Sequence, residues 1–160
     1  MRALLDVNVL IALLDEAHIH HIQATSWLEQ NIQHGWATCP ITQNGCIRIM
    51  SQPGYPGALP AAAVAERLTE AANNSNHEFW PDEVNLLNEG CFDWSRVLGH
   101  RQVTDAYLLA LAVRHQGCLV TLDRRISLGV VANAKPESLV VIFGLTSSVE
   151  ALDQSAKRHT

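Results

Sequence analysis

The chain reads as a single α/β domain built on a mainly parallel sheet, and three observations predict it. Short apolar runs of strand character alternate with longer segments of helical pattern along the sequence. Two of those runs end on an aspartate, Asp6 and Asp123, and a third aspartate, Asp105, opens a strongly apolar helical stretch. In parallel α/β sheets ligand sites lie beyond the carboxyl ends of the strands. A strand-end carboxylate therefore points to a site as well as to a fold.

Residues 2–5 read as a short buried strand and 7–15 as a helix. From Ile19 to Ile32 the pattern is helical, with Ile22, Trp27 and Leu28 on or near the buried side. Residues 35–39 form a candidate second strand. A helix over 41–50 is stopped by Pro53 and Gly54, within a Pro- and Gly-rich loop from Gln52 to Pro60. Residues 60–74 are alanine-rich and helical, ending in the polar turn Asn73 to Asn76. His77 to Trp80 reads as a strand ended by Pro81, and 83–98 as a mixed stretch with short helical pieces. Gln102 to His115 is the clearest helix. Thr104 can cap its start, Leu108, Leu109, Ala112 and Val113 line one face, and Gly117 can close it. Cys118 to Leu122 and Leu139 to Phe143 are the last two strands. No repeat and no linker divides the chain, so the boundaries expected are one domain over 1–145 and a polar tail over 146–160.

The chain has 160 residues, nearly half of them apolar, enough for one sizeable core. No apolar run approaches the roughly 20 residues that span a bilayer. Cys39, Cys46, Cys91 and Cys118 show no close pairing, as expected of reduced cysteines in a cytoplasmic protein. Formal net charge is −5, which argues against a surface that coats nucleic acid broadly. It leaves room for a nuclease, because clustered carboxylates supply part of that charge. Only Lys135 and Lys157 are lysines. The remaining cations are arginines, suited to planar recognition of phosphate.

Asp6, Asp105 and Asp123 are the candidate site. A carboxylate beside a core is costly unless compensated, and three converging carboxylates repel unless a cation sits among them. Hard divalent ions such as Mg²⁺ take oxygen ligands of this kind, and phosphodiester hydrolysis is the chemistry they suggest. Each aspartate also has a structural reading: a helix cap for Asp6, a first-turn acid for Asp105, a turn residue for Asp123. Arg124 and Arg125 follow Asp123 and are candidates to hold RNA phosphates, or else belong to a solvated turn. Arg48 points either to the site or to a partner's carboxylate. His18, His20 and His21 invite zinc, but no other Cys or His pair has ligand spacing. They read as a polar helix entrance near the cleft rim. Trp27, Trp36, Trp80 and Trp94 could stack bases, with a core role favoured for Trp27 and Trp80.

At these residues the chain resembles the PIN-domain family and, within it, the VapC-type toxins of bacterial toxin–antitoxin pairs. The matching text is LLDVNVLIALLD, HRQVTDAYLLALAVRHQG and LVTLDRR, in this order and at this spacing. FWPDEV and FDWSRVLGH look like one actinobacterial-style branch. The resemblance implies a three-layer α/β/α sandwich and an endoribonuclease dependent on Mg²⁺, with Mn²⁺ able to substitute. It also implies a homodimer inhibited by a small VapB-like antitoxin. The family's first, third and fourth acids map onto Asp6, Asp105 and Asp123, with Asn8 and Thr121 at polar positions beside them. The second acid, a Glu on the helix after the second strand, has no counterpart, because residues 41–48 carry no carboxylate. Gln43 is the expected occupant of that place and Gly45 the competing alignment.

Two other functions compete. Asp6-Val7-Asn8 faintly resembles the nucleophile loop of haloacid-dehalogenase-like phosphatases, but Asn8 stands where a second Asp is needed, and Lys135 and Lys157 are poorly placed. A degenerate PIN domain that binds RNA or a partner without cutting is supported by the missing Glu alone.

Overall fold

The computed structural model describes residues 1–143, so the tail expected over 146–160 lies outside the described residues. In chain order the elements are β1 (Ala3–Leu5), α1 (Val7–Leu14), α2 (His21–Asn31), β2 (Trp36–Thr38), α3 (Pro40–Met50), α4 (Ala61–Ala72), β3 (His77–Phe79), α5 (Gln102–Arg114), β4 (Cys118–Thr121) and β5 (Leu139–Val141). Short 3-10 turns lie at Ile32–His34, Trp94–Arg96, Leu128–Val130 and Pro136–Ser138.

The five strands form one sheet in the order β3-β2-β1-β4-β5, and every pairing is parallel. The chain moves from β1 outward through β2 to β3, then returns to the other side of β1 as β4. The reversal falls between β1 and β4, the position where a parallel sheet opens a crevice at its carboxyl edge. Leu4 pairs with Leu119, Leu5 with Val120, and the Asp6 amide donates to the Val120 carbonyl at 2.9 Å. The ends of β1 and β4 are thus side by side.

Alternation along the strands builds two cores, one on each face. Ala3, Leu5, Trp36, Cys118 and Val120 face a layer that holds Val9, Leu10 and Ala12 of α1, Ala24 of α2, Cys46 and Met50 of α3, and Val64 and Leu68 of α4. Leu4, Ala37 and Leu119 face the other layer, where α5 contributes Leu108, Leu109 and Leu111. This is a three-layer α/β/α sandwich whose strands, covered on both faces, read as unbroken apolar runs.

Two details differ from the sequence reading. Every α5 residue from Ala106 to Ala112 is buried, not one face alone. The cause is a cover of Val84, Leu86, Phe92, Val97, Ile126 and Leu128 from the flanking loops. Ile22 is 78% exposed, and Ala24 takes the buried position on α2.

Trp36 and Trp80 are core residues and Trp27 packs against the core, whereas Trp94 is 43% exposed and stacks on Phe92. The described cysteines are all free. Among the described residues no helix is long and apolar enough to cross a membrane.

Candidate functional site

Asp6 leaves the end of β1 and turns the chain into α1. Its carbonyl accepts from the amides of Val9 and Leu10, and its side chain accepts from the Val7 amide at 2.7 Å. The cap reading is therefore correct as geometry, but the cap engages only one oxygen. The other accepts from Thr121 Oγ1 at 2.6 Å and from Asn8 Nδ2 at 2.9 Å. Thr121 in turn accepts from the Asp123 amide at 3.0 Å, while Asn8 Oδ1 accepts from the Leu122 amide at 3.1 Å. Asn8 and Thr121 thus knit the end of β4 to the start of α1, and both hold Asp6. Asp6 is only 7% exposed, and burial raises its carboxyl above the usual range against the pull of these hydrogen bonds.

A carboxylate offers about four lone-pair directions. Three are used within the protein, so Asp6 enters the cleft fixed in orientation with one acceptor direction left over.

Asp105 sits in the first turn of α5 and lines the same cleft as Asp6. Its carboxyl is pushed up to about 6, first by burial and then by the charges of Asp6 and Asp123, with Arg125 opposing. Among the described residues no hydrogen bond offsets these effects, and Asp105 stays a half-buried acid near two others.

Asp123 follows β4 and shares a second recess with Asp105, Arg101 and Arg125. Arg125 Nε and Nη2 reach its two oxygens at 3.0 and 2.8 Å, and the Arg125 amide adds a bond of 2.9 Å. These bonds hold the Asp123 carboxyl below its usual range. Arg125 is thereby engaged by the acid it was expected to flank, and Arg124 lies over the Phe143 ring, 4.8 Å from its centroid.

The cleft is open, about 690 Å³ in volume. One wall is the α3 face made by Ile41, Asn44, Gly45 and Arg48, and the other includes Arg101, Thr104 and Asp105. Gln43 is not in it. Its Nε2 donates to Thr38 Oγ1 at 3.0 Å, and the side chain lines a groove between α3 and α4. Gly45 lines the cleft with Asp6 and Asp105, and a Cβ there would meet Val7 Cγ2 at 2.6 Å. The close crossing of α1 and α3 favours glycine at this point, since a side chain would force Val7 to shift. We expect Gln43→Glu to leave Mn²⁺ affinity in a calorimetric titration within about twofold of wild type, because effective interaction falls with distance and exposure. A marked gain would return Gln43 to the site.

Three other expectations change. The start of α5 has no side-chain cap: the helix begins on the Gly99–Gln102 turn, which puts Thr104 inside the first turn, on the cleft wall. At its end Gln116, not Gly117, takes the left-handed conformation (φ 55°), and the Gly117 amide bonds back to the Ala112 carbonyl at 2.9 Å. His18, His20 and His21 lie at the far end of α1 from Asp6, so they do not form a cleft rim.

Asp82 and Arg101 line the cleft and were not singled out from the sequence. Asp82 carried the same signal as Asp6 and Asp123, being the first acid after a short strand. Tyr107 Oη donates to it at 3.1 Å.

The donor set suits a hard divalent cation: three carboxylates at one sheet edge, one oriented by three hydrogen bonds and one uncompensated. The cage is not closed. Among the described residues no three His, Cys, Asp or Glu side chains stand close enough to surround an ion, with both Asp123 oxygens turned to Arg125.

The PIN domain family model matches residues 3–129. Ribonuclease VapC44 of Mycobacterium tuberculosis is 48% identical over 142 residues, covering 89% of this chain and 100% of that protein. Ribonuclease VapC39 of the same organism is 46% identical over 125 residues, covering 77% and 89%. Among solved structures, VapBC2 from Rickettsia felis bound to a DNA fragment from its promoter aligns with a TM-score of 0.53 at 14% identity, covering 79% of this chain and 96% of that one. PAE2754 from Pyrobaculum aerophilum aligns with a TM-score of 0.53 at 17% identity, covering 98% and 90%. At such low identities these two likenesses concern the fold. The family match and the close relatives reach further: the chain belongs to the PIN-domain family, among its VapC members.

Proposed function

We propose that the chain is a divalent-metal-dependent endoribonuclease acting as the toxin of a toxin–antitoxin pair. The observation that carries the reading is the half-buried Asp105 beside Asp6 and Asp123 at the β1/β4 switch point, its carboxyl still raised despite Arg125. The ribonuclease names of relatives at 46–48% identity support it.

Asp6, Asp105 and Asp123 would hold Mg²⁺, with Mn²⁺ able to substitute. Such an ion, when bound, activates water and offsets charge developing on the phosphate. Thr121 and Asn8 keep Asp6 in one rotamer, so that its free acceptor direction is fixed before substrate arrives. Asp123 must exchange the Arg125 guanidinium for the cation, which frees Arg125 at the rim to face a phosphate. Arg124, turned onto Phe143, contributes less to RNA binding. The lack of an α3 carboxylate in the cleft favours a single ion over a pair. The same observation is the only support for a binding module that does not cut.

A small VapB-like antitoxin offering an Arg to these carboxylates would block the site by charge matching. The working unit is proposed as a cytoplasmic homodimer, which sedimentation at micromolar concentration would test. The function itself is tested with purified protein and total RNA in Mg²⁺. Cleavage should stop with chelator and leave 5′-phosphate and 3′-hydroxyl ends, as attack by water requires. Intact RNA, or cleavage that persists in chelator, would refute it.

A further inference from the structure

Two arginines line the acid cleft without serving its acids. Arg48, on the last turn of α3, and Arg101, just before α5, belong to different walls of the space that Asp6 and Asp105 line. Both are exposed. Among the described residues, the ion pairs are Arg2–Glu78, Arg96–Asp93, Arg114–Glu83, His115–Glu83 and Arg125–Asp123, so neither Arg48 nor Arg101 is neutralised. The cation that acts on Asp105 is Arg125. The other sequence candidates are occupied, Arg125 by Asp123 and Arg124 by Phe143.

Helix electrostatics separate the two positions. Arg48 near the C-terminus of α3 is favourable for that helix, a purely structural reason for it to be there. Arg101 stands at the N-terminus of α5, where a positive charge works against the helix dipole. Among the described residues no ion pair offsets that cost, and beside an anion Arg101 and the dipole act together. A chain of net charge −5 that binds a polyanion needs its positive charge placed locally.

We propose that Arg48 and Arg101 form a phosphate-binding subsite that grips the RNA backbone on the two sides of the scissile phosphate. Asn44, beside Arg48 on the α3 wall, supplies a neutral amide to the same strand. The wall of α3 that lacks an acid is then a substrate wall, with a guanidinium placed to meet phosphate. These contacts fix the register of the RNA and carry no base preference. The inference rests on the ribonuclease reading and adds to it where the strand runs.

The test is fluorescence anisotropy with a short fluorescein-labelled single-stranded RNA of mixed sequence, in Ca²⁺ so that binding is read apart from cleavage. Arg48→Gln and Arg101→Gln should each weaken binding about tenfold and lower the salt slope by roughly 0.7, the value for one lost single-strand phosphate contact. Lysine at either position should restore most of the slope. Mn²⁺ affinity should stay at the wild-type value in both variants. Arg67→Gln, which removes the same charge from exposed α4, should bind as wild type.

Wild-type RNA affinity and salt slope in both cleft variants would overturn the subsite. So would an Arg48→Gln protein that loses thermal stability yet binds RNA normally, which is the helix-dipole role alone. An equal loss in Arg67→Gln would mean diffuse attraction instead of a subsite. In these three cases wild-type cleavage would leave the ribonuclease reading standing. A wild-type protein that neither binds nor cuts RNA would overturn that reading itself.

Discussion

Asp105→Asn should slow RNA cleavage by at least about a thousandfold while the protein folds normally, since a lost divalent ion removes several kcal/mol of charge stabilisation at tenfold per 1.4 kcal/mol. Asp105 is the cleanest of the three acids to remove, because among the described residues no hydrogen bond depends on it. Its replacement should also change the response to pH. Its carboxyl is pushed up to about 6 in the folded, metal-free chain, above its ordinary value of 3.8. An acid with a raised folded value binds its proton more tightly in the native state. The stability it contributes is full below the unfolded value and is lost as pH rises through about 6. Metal-free wild type should therefore lose more stability between roughly pH 4 and 6 than Asp105→Asn, which keeps only the contribution of Asp6, raised in the same direction. A thermal unfolding series in chelator checks this, and identical pH profiles would mean that Asp105 is not strained by its neighbours.

Asp6 responds differently, because it is structural as well as functional. Asp6→Ala leaves the Thr121 hydroxyl and the Val7 N–H without their acceptor and the Asn8 amide with Thr121 Oγ1 alone, in a site where Asp6 itself is 7% exposed. Part of this cost is returned by removing a desolvated charge. A net loss of about 2–4 kcal/mol is expected, at about 1–3 kcal/mol for each buried group left unpaired. For a domain of this size that is a fall in Tm of roughly 5–15 °C. Asp6→Asn should fall between, since its amide has one acceptor oxygen for three donors. Urea unfolding that finds Asp6→Ala as stable as wild type would remove Asp6 from the strand-end network.

The sequence was most legible where local pattern and tertiary environment agree. Strands at 2–5 and 118–122 are apolar runs buried on both faces, and the acids ending them mark the carboxyl edge of a parallel sheet. Periodicity could not report that α5 is covered on its outer side, since that cover comes from the irregular segments on either side of it in sequence, at Val84–Val97 and Ile126–Leu128. Nor could spacing choose between Gln43 and Gly45. In the fold Gln43 turns to Thr38 Oγ1, while Gly45 lines the cleft close against Val7. Asp82 was passed over although it obeys the rule that selected Asp6 and Asp123. Arg125 looked available because a sequence does not show that a two-residue turn folds its guanidinium onto Asp123.

The claim on which everything else depends is that Asp6, Asp105 and Asp123 act as one site for a single divalent ion. Calorimetric titration of the metal-free protein with Mn²⁺ tests it most directly, run on wild type and Asp105→Asn. The account predicts one ion per chain for wild type and binding too weak to resolve for Asp105→Asn. Equal affinity and stoichiometry in the two proteins would contradict it.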